Sequence, residues 1–275
     1  MARKAVNDMK CACRTGVLTI ILAAAISGVC SAGPDESRLE QVKAGIRRYA
    51  IPPLELRLPP PPSPLKPQVV FHGDRRMKRV ALTFDACATQ APSGYDDALI
   101  RVLVETRTPA TLFLGGKWML DHPEETRKLA AVDRFELGNH SFLHPHITRI
   151  PEERVRQELE WTQIVIYSLT GRRASLFRPP YGEYDERSLK IAAELGFTTV
   201  QFDLASGDPG PGASKDRLVS SVAAGARNGS IVVMHMNGRG RHTAEALPTI
   251  IDELHRKGFG LVTVGNLIRG SRGDD

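Results

Sequence analysis

Residues 79–114 read RVALTFDACATQAPSGYDDALIRVLVETRTPATLFL, and this stretch sets the fold class. Val80 to Phe84 is an apolar run of strand length, Gly94 to Thr106 has apolar residues at helical spacing, and Ala110 to Leu114 is a second apolar run. Strand, helix and strand in that order form a crossover unit, which joins parallel neighbours with a right-handed turn. The alternation continues outward from there. Strands are expected over Phe135–Gly138, Ser175–Phe177, Thr198–Phe202, Ser230–Met234 and Leu261–Val264. Helices are expected over His122–Val132, Pro151–Leu169, Asp185–Leu195, Ser214–Arg227 and Ala244–Lys257, the Pro151 helix opening with proline and two glutamates at its positive end. The reading is an α/β protein with about seven parallel strands, closed or nearly closed into a distorted (β/α) barrel; an open doubly wound sheet is the structural alternative.

The placement of polar residues argues for a site. Asp85, His140, Arg178, Asp203 and His235 all follow the carboxyl ends of expected strands. In a parallel barrel those ends share one face, where active sites collect. His140 and His144 stand at i and i+4 within Gly-Asn-His-Ser-Phe-Leu-His-Pro-His (138–146), so a tight turn there would point both rings to one side, at a spacing suited to one divalent metal. Pro145 disfavours right-handed helix at His144, which gives a short, stiff segment. Arg178 precedes Pro179-Pro180-Tyr181 and is placed to pair with a buried carboxylate; Asp203 and Asp208 flank a glycine-containing loop.

The first 32 residues stand apart. Arg3, Lys4, Lys10 and Arg14 precede an apolar run from Val17 to Val29 and then small residues, the order of a secretory signal, with an uncleaved anchor as the alternative. Cleavage would export the chain to the periplasm or the exterior with no membrane span, and would leave Cys87 alone of the four cysteines, so no internal disulfide is expected. Residues 33–68 read as a helix (Ser37 to Tyr49) and a spacer with eight prolines between Ile51 and Pro67, and a catalytic domain over 69–270 follows. Four basic residues and one acid lie in the signal, so +3 of the chain's formal +6 remains, too mild to argue for nucleic acid. A monomer is expected.

With these residues in hand, the sequence from about Val69 to Leu267 resembles the polysaccharide deacetylases of the NodB-homology type, a carbohydrate esterase family. Thr-Phe-Asp (83–85), His-Ser-x-x-His-Pro (140–145), Arg-x-Pro-Tyr (178–181), Asp203 with Asp208, and the run ending at His235 carry the resemblance. It implies a distorted barrel that uses a divalent metal, with zinc expected, to hydrolyse N-acetyl groups of a glycan containing N-acetylglucosamine, either peptidoglycan or chitooligosaccharide. Asp85 is then the general base, His140 and His144 are metal ligands, and Arg178 orients the base. Tyr181 offers its backbone N–H to the oxyanion, and His235 is the general acid, tuned by Asp203 or Asp208. Acetyl-xylan-type O-deacetylation, or a metal-free carbohydrate-binding protein of the same fold, are the alternatives.

The sequence departs from the family at one position. Two consecutive aspartates are usual, the second a metal ligand, whereas here Asp85 is followed by Ala86 and Cys87. Asp96 is the favoured substitute, with Asp97 beside it; Cys87, whose thiolate would favour zinc, is the other candidate.

Overall fold

Nine parallel strands make one curled sheet in the computed structural model, which describes residues 64–88 and 94–269. The strands are β1 (Val69–Val70), β2 (Arg79–Ala86), β3 (Ala110–Leu114), β4 (Phe135–Asn139), β5 (Leu176–Phe177), β6 (Thr198–Val200), β7 (Leu204–Ala205), β8 (Ser230–His235) and β9 (Gly260–Leu261). Their order is β1-β6-β5-β4-β3-β2-β8-β7, with β9 pairing the start of β2. The helices are α1 (Asp97–Glu105), α2 (Gly116–Asp121), α3 (Pro123–Ala131), α4 (Glu152–Thr170), α5 (Glu186–Glu194), α6 (Lys215–Gly225), α7 (Thr243–Arg256) and α8 (Val264–Arg269). The architecture is the distorted (β/α) barrel expected. The expected signal, the Ser37–Tyr49 helix and most of the proline-rich spacer lie outside the described residues.

Alternation along the strands divides the apolar residues into two cores. Leu82, Phe84, Leu112, Leu114, Val232 and Met234 face the helix layer, where they pack with Leu99, Leu103, Leu159, Leu247 and Ile250. Ala81, Phe113, Leu176, Val200 and Ile231 face inward and form a smaller core inside the curl, closed from below by Val264 and Leu267 of α8. The inner face turns polar towards the carboxyl ends, where Thr83 and Asp85 follow Ala81. That change along β2 defines where the site must lie.

Among the described residues no strand pairing joins β1 to β7, so a seam remains. The chain after β1 partly closes it. His72 bridges Ser230, and Gly73 N–H donates to Gly229 O at 2.8 Å. Two short strands, β1 and β7, and two short helices, α2 and α8, were not expected, and Val264 begins α8 rather than ending a strand. Two-residue strands carry no readable period.

Candidate active site and metal centre

Asp85 lies on the inner face of β2 and is buried. Its Oδ1 accepts from Arg178 Nη1 at 2.7 Å, and the same nitrogen donates to Thr83 Oγ1 at 2.7 Å. Arg178 follows β5 and is itself buried, with its guanidinium 4.0 Å from the centre of the Phe113 ring. A Cβ at Gly138 would lie 2.4 Å from that ring, so only glycine leaves room for Phe113 beneath the arginine. Burial alone would push the Asp85 carboxyl up; Arg178 above all, then His140 and His235, hold it below the usual carboxylate range. The result is a buried aspartate that stays ionised.

Strand register sets His235 directly beside Asp85. His235 Nδ1 is 2.9 Å from Asp208 Oδ1, while Asp208 Oδ2 accepts from His235 N–H at 2.6 Å and from Thr243 Oγ1 at 2.9 Å. Burial pushes the imidazole down, but the Asp208 hydrogen bond and charge, assisted by Asp85, outweigh it and raise His235 above its ordinary value.

Asp203 does not join this group. The strand path does not end at Phe202 but continues into β7, where Leu204 pairs with Val232 and sets Asp203 level with Ile231. That is four residues back from His235, about 13 Å along a strand. There Asp203 accepts from Ile231 N–H at 2.8 Å, Ser230 Oγ at 3.0 Å and Arg75 Nη2 at 2.7 Å, which ties the seam together. Of the two aspartates, the geometry brings only Asp208 to the imidazole.

The loop after β4 is irregular rather than helical, and it is tightly held. Asn139 Oδ1 accepts from Ser141 N–H at 2.9 Å, Ser141 Oγ accepts from His144 N–H at 3.1 Å, and the buried Glu158 of α4 accepts from both Phe142 and Leu143 N–H at 2.7 Å. Ser141 and His144 have φ near +60°, a left-handed conformation that such networks sustain. His140 and His144 are thereby brought together, with ring centres 5.0 Å apart, and both are buried rather than set on an open rim. His140 Nδ1 bonds the Arg178 carbonyl at 2.8 Å, which leaves Nε2 to point towards Asp85 Oδ2 at 3.8 Å. Burial is the main cause that lowers both imidazoles, His144 to about 3, so both are neutral, as metal ligands must be.

The third member beside the pair is Cys87, not Asp96. Ligand atoms of Cys87, His140 and His144 all lie within 4.8 Å of one another. Asp96 instead caps α1, accepting from Leu99 N–H at 3.0 Å, and the exposed Asp97 pairs with Arg101. The helix needs a side-chain acceptor at its first turn, and that local demand took the carboxylate. Burial pushes the Cys87 thiol up to about 11, against the pull of Arg239. His144 Nδ1 is buried with no hydrogen-bond partner, so the donor set fits a divalent cation.

Tyr181 sits at the mouth, half exposed and with φ of 57°, its ring stacked on His146 at 4.2 Å and edge-on to His144 at 4.5 Å. Thr83, Glu158, Asn237 and Arg239 are site-building residues that the sequence reading missed. Glu158 left a signal: with Val155, Leu159 and Thr162 it falls on the buried face of α4, where an unpaired carboxylate would be costly.

A family model described as polysaccharide deacetylase matches residues 72–200. The chain is 30% identical to a chitooligosaccharide deacetylase of Rhizobium leguminosarum bv. trifolii over 197 residues, 67% of this chain and 89% of that protein. It is 29% identical to a peptidoglycan-N-acetylglucosamine deacetylase of Bacillus cereus over 205 residues, 74% of this chain and 72% of that one. It spans between 63% and 74% of the length of three Bacillus relatives that it matches. Among solved structures, a pseudoenzyme of carbohydrate esterase family 4 from Bacillus anthracis superposes with a TM-score of 0.66 at 26% identity, covering 74% of this chain and 69% of that one.

Proposed function

Because the chain belongs to the polysaccharide deacetylase family, hydrolases that act on carbon–nitrogen bonds, we propose that it removes N-acetyl groups from a glycan containing N-acetylglucosamine, either peptidoglycan or chitooligosaccharide. The observation that carries this reading is the buried, ionised Asp85, clamped by Arg178 and set between the His140–His144 pair and the Asp208–His235 pair. The proposal includes export outside the cytoplasm, which the signal-like order of residues 1–32 supports. Among the described residues no helix is long and apolar enough to cross a membrane.

His140 and His144 would hold a divalent metal, which when bound would supply Lewis acidity at the site. The protein side of the reaction follows from its own groups. Asp85 takes the proton of the attacking water, because Arg178 keeps it ionised and fixes its Oδ1, leaving Oδ2 as the acceptor. The Tyr181 backbone N–H, presented by a left-handed turn, donates to the developing oxyanion. His235, held protonated by Asp208, gives its proton to the departing amine so that it leaves neutral. Tyr181 and His146 offer stacked faces for a sugar ring at the entrance.

The test is release of acetate from N-acetylated chitooligosaccharides and from peptidoglycan, beside acetylated xylan as the ester control. Release from the first two with none from xylan supports the proposal. Release from xylan alone assigns an O-deacetylase, and none from any substrate assigns a glycan-binding protein without turnover.

The pH profile gives an independent check on the acid. His235 must be protonated to act, and its raised pKa extends the active form above pH ~6.5, the ordinary value for imidazole. The alkaline limb of kcat/KM is therefore expected above that pH, and the acid limb, set by the lowered Asp85, below the ordinary carboxylate range. Asp208→Asn removes the charge that supports the imidazolium, so the alkaline limb should move to lower pH. An unmoved limb would show that His235 is not the acid.

A further inference from the structure

Ala86 has no side-chain donor, and both carboxylates at the start of α1 are committed elsewhere, so the histidine pair needs a third ligand from another source. Cys87 is the described residue that meets the need. Its sulfur is buried, grouped with the two imidazoles, and it lies two residues after Asp85 on the chain that leaves β2. Gly115 N–H donates to Ala86 O at 2.8 Å, and Asn237 Nδ2 donates to Cys87 O at 2.7 Å, so the backbone on both sides of the sulfur is fixed. Asn237 Nδ2 also approaches Sγ at 3.5 Å. His144 Nδ1, buried and without a partner in the protein, is the independent sign that this pocket is built for a ligand.

We propose that Cys87, as a thiolate, is the third protein ligand of the metal held by His140 and His144, in place of the family's second aspartate. The inference rests on the proposed metal-dependent function and specifies its metal. On binding, the Sγ–H proton leaves to solvent and the sulfur lone pair goes to the cation, so charge balances as it would for a carboxylate. The change in chemical character is large. One thiolate and two imidazoles form a soft to borderline donor set, which selects zinc or cobalt over magnesium and manganese, whereas a carboxylate in the same place discriminates less.

The experiment uses the full chain stripped of metal and titrated with cobalt(II) chloride. A thiolate ligand gives an intense sulfur-to-cobalt charge-transfer band in the near ultraviolet, which no set of histidines and carboxylates produces. The wild type should show it at one equivalent of cobalt. Cys87→Ser should lose the band and bind cobalt by about tenfold or more less tightly. Cys87→Asp should recover affinity without the band, and Asp96→Ala should keep both. Bound cobalt without the band in the wild type, a band that persists in Cys87→Ser, or no cobalt bound at all would each overturn the inference. The band is read without turnover. Acetate release without it leaves the deacetylase reading intact and removes Cys87, while a band without acetate release does the opposite.

Discussion

Asp85→Asn should reduce acetate release by a factor of about 10²–10⁴, the range in which a positioned general base contributes. The amide nearly preserves the shape of the carboxylate but cannot accept the proton of the attacking water. Metal content should be unchanged, because the ion is assigned to residues other than Asp85. The substitution also leaves the Arg178 guanidinium buried beside a neutral group, so some loss of stability is expected alongside the loss of activity. Activity and metal content measured on the same preparation separate the two effects. A variant that keeps activity within a few-fold would place the base elsewhere.

Arg178→Leu is expected to cost about 3–5 kcal/mol of folding stability, because it strands a buried aspartate without its partner. Four other interactions go with it: the bond to Thr83, the longer one to the Gln201 carbonyl and the contacts with the Phe113 and Phe202 rings. The Asp85 carboxyl, no longer held down, should rise, and any residual activity should have its acid limb displaced to higher pH. The double variant Arg178→Leu, Asp85→Leu should be more stable than Arg178→Leu alone, since it removes the uncompensated charge, and it should be inactive. Urea unfolding of the three proteins measures this. Equal stability of the single and double variants would show that the pair is not coupled.

Much of this could be read in the sequence because parallel strands in a barrel are buried on both faces and appear as plain apolar runs. Asp85 and His235 stood out as polar groups at the ends of such runs, and register then placed Asp85 against His235. The histidine pair was legible from spacing, although its left-handed backbone was not. Asp203 misled because β7 is two residues long, too short to reveal that the strand path continues past it. Asp96 misled because loop length permitted it to reach the site, while the local need for a cap at α1 decided where its oxygen went. Asn237 and Arg239 act through tertiary contacts between segments far apart in the chain, which no local pattern encodes.

The central position of β2 also governs the order of assembly. Arg178 meets Asp85 across 93 residues, and Asn237 meets Cys87 across 150. The cost of closing such loops grows only slowly with length, but they must be closed before their contacts return any stabilisation, which makes folding slow. As the chain is synthesised, β2 appears early and waits, one edge unpaired, for β8 near the other end. An apolar strand in that condition is open to association with other chains. The same late pairing brings His235 and Asn237 to the site. Completion of the fold and assembly of the candidate site are therefore one event.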